Sequence, residues 1–257
     1  MKKFSTYLIF VFIFNLAAAN WVLADSSTTL QAVQEDTQNL INIKDQENTT
    51  STLDKKTEIA VRLEVFNKVL DFSLNETQDI ISQLNNLNNL ATSSKSDLRN
   101  QLLDKFQGFV EFYSEQKANL ASTTTEIDLA GLKKLAQDFK DWRAQNYLPI
   151  FETATDFLLL NQQKTILGIA EKRYQKISSD IYKLKKANLT GTDRLENYLN
   201  QADISLKEAK GLWQKAEDEF STSTSSIKGL ISDSLNKIKE TYQIFIEMSN
   251  FVKKLLK

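Results

Sequence analysis

The sequence predicts an all-α protein: an elongated antiparallel helical bundle with coiled-coil-like packing, preceded by a signal peptide. Three observations carry that expectation. Glycine and proline number only 6 and 1 in 257 residues, whereas the two together make up about 12% of an average chain. Sheets and loop-rich folds need more turn formers than that. Long stretches place apolar side chains alternately four and three residues apart, the mark of one helix face. The chain also opens on two lysines followed by an apolar run that ends in small residues, as secretory leaders do.

The leader, residues 1–24, reads MKKFSTYLIFVFIFNLAAANWVLA. Val22 and Ala24 suit cleavage after Ala24, which is preferred; Ala17 and Ala19 suit cleavage after Ala19. An uncleaved anchor is the rival, because Phe4 to Ala24 approaches the roughly 20 residues of a spanning helix, although Asn15 and Asn20 interrupt it. Residues 25–52 are polar, with one apolar stripe at Leu30, Val33, Leu40 and Ile41. They predict a marginal helix and a connector. A single helical-bundle domain is expected over 53–257. Export places the chain in a periplasm, on a cell surface or outside the cell.

Within that domain the first seam runs from Ile59, Leu63, Phe66 and Leu70 through Ile80 and Leu84 to Ala91, with Ser73 and Thr77 in register. Leu160, Gln163, Leu167 and Ala170 begin a second seam that reaches Leu184. Leu195 to Phe220 and Ile227 to Leu255 carry two more. A period near 3.5 stays on one face only if the helices wrap gently around one another. Shorter stripes at Leu98–Leu120 and Leu132–Trp142 bring the total to five or six core helices. A helix from Asp54 to Ala91 would be about 55 Å long.

Ser/Thr clusters, in place of glycine, separate these stretches, and such residues are preferred N-caps. Ser94 with Asp97 and Thr123 with Glu126 have capping-box spacing. Pro149 lacks an amide proton and crowds the preceding turn, so a kink or break is expected near Tyr147 and Leu148.

Composition narrows the function. Cysteine and histidine are both absent, which removes disulfides, thiolate and imidazole catalysis, and Cys/His metal sites. The glycines are scattered singly, so no phosphate-cradling loop exists, and no Asp-x-Asp-x-Asp-Gly calcium loop occurs. No cofactor and no metal are therefore expected. Lys+Arg is 32 against 33 for Asp+Glu; loss of the leader takes two lysines and leaves a net charge of about −3. Nucleic acid is not an expected partner. The sequons at Asn48, Asn75 and Asn188 are taken as chance.

The densest mixture of aromatic and charged residues is Asp138 to Pro149, DFKDWRAQNYLP. Trp142 can stack on a sugar or cation, Arg143 can grip a carboxylate or phosphate, and Tyr147 adds an amphipathic rim. These three are the candidate ligand-binding residues. The alternative puts Phe139 and Trp142 in the core, with Arg143 neutralising the last carbonyls of a helix. Glu217, Asp218 and Glu219 offer carboxylates, but adjacent helical residues point apart and form a solvated face.

The run Phe157–Leu160 is the best membrane-inserting window, yet the acidic and amide side chains around it make spanning costly, about 3 kcal/mol for each charge at a bilayer centre. The C-terminal Lys253, Lys254 and Lys257 suit an anionic surface or, equally, the helix dipole. Membrane contact is not expected apart from an uncleaved N-terminal anchor. The expectation is a non-catalytic extracytoplasmic binding or scaffold module with an unknown protein or envelope component as partner. A secreted pore-forming or membrane-lytic helical protein is the alternative. Seams can also pair between chains, so a homodimer is allowed.

Overall fold

A computed structural model describes residues 52–87, 90, 93–123, 127–188, 190–222 and 227–255. The leader 1–24, both cleavage positions and the connector up to residue 51 lie outside the described residues. Among the described residues there are six α-helices and one π turn: α1 Thr52–Asn85, α2 Ser93–Thr123, α3 Leu129–Trp142, the π turn Arg143–Tyr147, α4 Leu148–Lys186, α5 Thr192–Thr222 and α6 Lys228–Leu255. All regular structure among these residues is helical, as the scarcity of glycine and proline requires.

The seams explain why the helices pack. Leu63, Phe66, Leu70, Ser73, Thr77, Ile80 and Leu84 of α1 are all buried. So are Leu195, Leu199, Ala202, Leu206, Ala209, Trp213 and Ala216 of α5, and Ile227 to Met248 along the α6 seam. Each large aliphatic or aromatic side chain removed from water contributes about 1.5–3 kcal/mol. Polar seam members are tolerated because the backbone satisfies them. The Ser73 hydroxyl donates to the Val69 carbonyl at 2.8 Å, Thr77 to Ser73 at 2.7 Å, and Ser234 to Ala209 of the neighbouring helix at 2.6 Å.

The sequence reading places residues 53–257 in one domain, whereas the structure gathers the chain into two compact units, one ending at Ala154 and one beginning at Thr155. The boundary falls inside α4. In the first unit α1 and α2 run antiparallel: Arg99 donates to the Leu87 carbonyl at 3.3 Å beside their turn, and Lys117 pairs with Asp71 farther along. Phe66 of α1 meets Phe139 of α3 edge to face at 5.5 Å. In the second unit Phe157 stacks near Phe220 while Lys185 pairs with Glu196 at 2.7 Å, so α4 and α5 are antiparallel. Gln163 donates to the Ile231 carbonyl and Arg173 lies over Tyr242, so α4 and α6 run in the same direction. That unit is an up-down-up helical triplet joined by short turns.

Four local expectations need correction. The first helix ends at Asn85, short of Ala91; asparagines at 85, 86, 88 and 89 are weak helix formers that compete for backbone groups. Thr123 is the last residue of α2, and the N-cap of α3 is Asp128, whose carboxylate accepts the Gly131 amide at 2.8 Å. Ser94 lies inside α2, whose first residue is Ser93. At Pro149 the helical path continues without a break: Trp142, Arg143 and Leu148 all keep right-handed helical dihedrals. The disturbance moves upstream into the π turn, where the Leu148 amide reaches back to the Arg143 carbonyl. A widened turn just before the proline relieves its ring against the preceding carbonyls and drops one ordinary hydrogen bond.

Candidate functional site

The π turn decides which side chains face inward. Phe139, Arg143, Tyr147 and Phe151 are spaced by four, and in an ideal α-helix each such step overshoots a full circle by about 40°. The wider turn takes back part of that drift, and all four side chains are buried. Arg143 is thereby carried to the interior of the first unit, where it is 4% exposed. It does not neutralise helix carbonyls with its side chain.

Its partner there is Glu76, also 4% exposed, projected from the buried face of α1. Arg143 Nη2 donates to Glu76 Oε2 at 2.9 Å, and Nη1 donates to the Tyr113 hydroxyl of α2 at 3.0 Å. The guanidinium also lies over the Tyr147 ring at 4.4 Å. Tyr113 and Tyr147 are fully buried. One cation therefore ties α1, α2 and the π turn together by an ion pair, a hydrogen bond and a cation–π contact.

The electrostatics follow from enclosure. Burial pushes both phenols well above their ordinary value; for Tyr147 the Glu76 charge adds to the effect, while for Tyr113 the nearby Arg143 opposes it. Burial works against the Arg143 charge, but the surrounding phenols and Glu76 outweigh it, so the guanidinium stays firmly protonated. The cluster is not fully satisfied. Glu76 Oε1 and the Tyr147 hydroxyl are buried with no hydrogen bond of good geometry, although the two groups lie close enough for Glu76 to help hold the phenolic proton. A buried carboxylate oxygen left in this state is costly, so the ion pair stabilises the fold less than its short distance suggests.

Trp142 lies at the margin of this cluster, half-buried. Its ring stacks on Phe112 at 3.6 Å and meets Phe109 and Tyr113 edge-on at 5.6 and 5.7 Å. Of the three candidate binding residues, then, Arg143 and Tyr147 sit inside a packed cluster and Trp142 on its edge. Glu76 was missed from sequence. Its signal was present, because Val69, Ser73, Glu76 and Ile80 keep the same four-three-four spacing as the apolar seam.

Other chemistry-bearing segments belong to the second unit. Phe157, Leu158, Leu159 and Leu160 are all buried, and no helix among the described residues is long and apolar enough to cross a membrane. Asp218 accepts from Gln214 at 3.1 Å and Glu219 pairs with Lys215 at 3.9 Å, both along the surface of α5. No group of three or more carboxylates among the described residues is placed to hold a metal ion. An open groove of about 510 Å³ lies between α5 and α6, with Ile204 and Ile244 beside Glu208, Lys237 and Glu240. Lys237 bridges both acids at 3.0 Å. Compared with protein families, curated proteins and solved structures, the chain matches none of them.

Proposed function

We propose that the chain is an exported, non-catalytic helical-bundle protein that works as a binding or scaffold module. In this reading residues 1–24 are a leader removed after Ala24, residues 53–257 operate as one module, and the seams wrap in coiled-coil fashion. The partner is a protein or another envelope component, met outside the cytoplasm, and nucleic acid is not among the candidates. The observation that supports this reading best is the Arg143–Glu76 pair. The most chemically endowed segment of the sequence spends its charge on another helix of the same chain, leaving the outer helix faces for contact.

Capture experiments test the reading. Purified protein immobilised and washed with envelope extracts and isolated glycans should retain a specific, saturable partner. Turnover of a small substrate by the bundle, abolished by changing one acid while helicity is preserved, would contradict it.

A further inference from the structure

We propose that one end of the second unit is a docking surface for an anionic lipid bilayer. The last turn of α4 supplies Lys183, Lys185 and Lys186, the first turn of α5 supplies Arg194, and the last turn of α6 supplies Lys253 and Lys254. Two contacts bring these three helix ends together. Lys185 pairs with Glu196 across the α4–α5 turn, and the Arg194 guanidinium lies over the Phe251 ring of α6 at 4.8 Å. All six cations are exposed.

Three acids stand among the six cations and offset only part of this charge. Asp180 engages Lys183 at 3.3 Å, Glu196 engages Lys185 at 2.7 Å, and Asp193, next to Arg194 in the first turn of α5, also acts on Lys185, while Lys186, Lys253 and Lys254 have no carboxylate partner among the described residues. A helix dipole accounts for lysines in the last turns of α4 and α6. It does not account for Arg194, which stands in the first turn of α5, where the dipole disfavours a cation.

Aromatic placement is the second observation. Tyr182 is 58% exposed on the same end, with Lys186 over its ring at 4.8 Å. Phe251 is half-exposed beneath Arg194. An exposed tyrosine among lysines suits the headgroup layer, where the ring enters the interface and the ammonium groups meet phosphate. A chain whose net charge is negative overall would approach an acidic membrane only through such a local pole. Each cation near an anionic surface strengthens binding by about fivefold, and salt screens the attraction. This inference rests on the binding-module reading and names its partner.

The test uses the full chain and its Lys186→Glu, Lys253→Glu, Lys254→Glu variant in flotation with vesicles of neutral phosphatidylcholine and with vesicles containing phosphatidylglycerol. Excess binding to the anionic vesicles is expected, lost in 0.5 M salt, and weakened on the order of 100-fold or more in the variant. Any contribution of the N-terminal apolar run is common to both proteins and appears on neutral vesicles as well. Because the chain has no cysteine, Asn250→Cys and Gly229→Cys can each carry one environment-sensitive dye, at opposite ends of α6. The dye at 250 should shift to the blue on anionic vesicles and the dye at 229 should not.

Equal binding to both vesicle types, an equal response at both dye positions, or unchanged binding by the variant would overturn the proposal. So would capture by a soluble polyanion without vesicle binding. Retention of a protein or glycan partner from extract, with no vesicle binding, would remove the lipid assignment while leaving the binding-module reading intact.

Discussion

The Arg143 guanidinium meets the Glu76 carboxylate at 2.9 Å in the interior of the first unit, across 67 residues of sequence. Neither group reaches solvent to any useful extent, and the same guanidinium holds Tyr113 and covers the Tyr147 ring. Desolvation of two charges opposes folding, and their attraction offsets this only while both partners are present. The pair therefore adds little net stability while intact, and losing either partner alone is what costs the unit.

Trp142 presents a first test of what the aromatic cluster does. Its face is covered by Phe112 and its edges by Phe109 and Tyr113. Trp142→Ala should lower unfolding free energy in urea by roughly 3 kcal/mol or more. A loss under about 0.5 kcal/mol would mean that the ring is held for a ligand and not for packing.

Alkaline pH provides a second. Tyr147 and Tyr113 have raised values in the folded chain, chiefly through burial. As pH rises the unfolded chain loses its phenolic protons first, so the stabilisation is complete below about pH 10 and drains away as pH climbs towards the folded values. Urea midpoints should hold steady from pH 8 to 9.5 and fall above that. Tyr147→Phe removes one raised group, so its midpoint should fall less steeply. An identical alkaline slope in the two proteins would show that Tyr147 is not enclosed.

The cap of α3 can be checked residue by residue. Asp128→Ala leaves the Gly131 amide without its acceptor and should cost about 1 kcal/mol. Hydrogen exchange at Gly131 should accelerate while α5 and α6 are unchanged. Unaltered exchange would mean that another group caps this end.

The turn between α4 and α5 depends on a left-handed residue, Asn188, at φ 52°. Asparagine tolerates this conformation through local hydrogen bonding, and glycine adopts it freely. Asn188→Val should destabilise the second unit by about 1–2 kcal/mol, whereas Asn188→Gly should be near neutral. Equal thermal midpoints for the two variants would contradict the turn geometry.

The long seams were legible because burial of one face imposes a period that survives polar members such as Ser73, Thr77 and Ser234. Helix ends were less so. Asp128 outcompetes the Ser/Thr cluster before it because a carboxylate caps as well as a hydroxyl, and nothing in the local pattern ranks the two. The response to Pro149 was also hidden: whether a helix breaks or widens depends on what the turn can bury, and here Arg143 finds Glu76. Of the candidate site, Trp142, Arg143 and Tyr147 stood out by composition. Glu76 carried no such compositional mark, although its register with Val69 and Ile80 put it on the buried face.

The most direct test of the central claim, that this segment's charge is committed to holding the helices of its own unit, is a double-mutant cycle on Glu76→Leu and Arg143→Met by urea unfolding. Each single change should cost about 3–5 kcal/mol by stranding a buried charge. The double variant should cost no more than either single change, giving a coupling of about 3 kcal/mol or more. Single losses that are small and strictly additive would contradict the account and return Arg143 to the surface as a group free to bind a ligand.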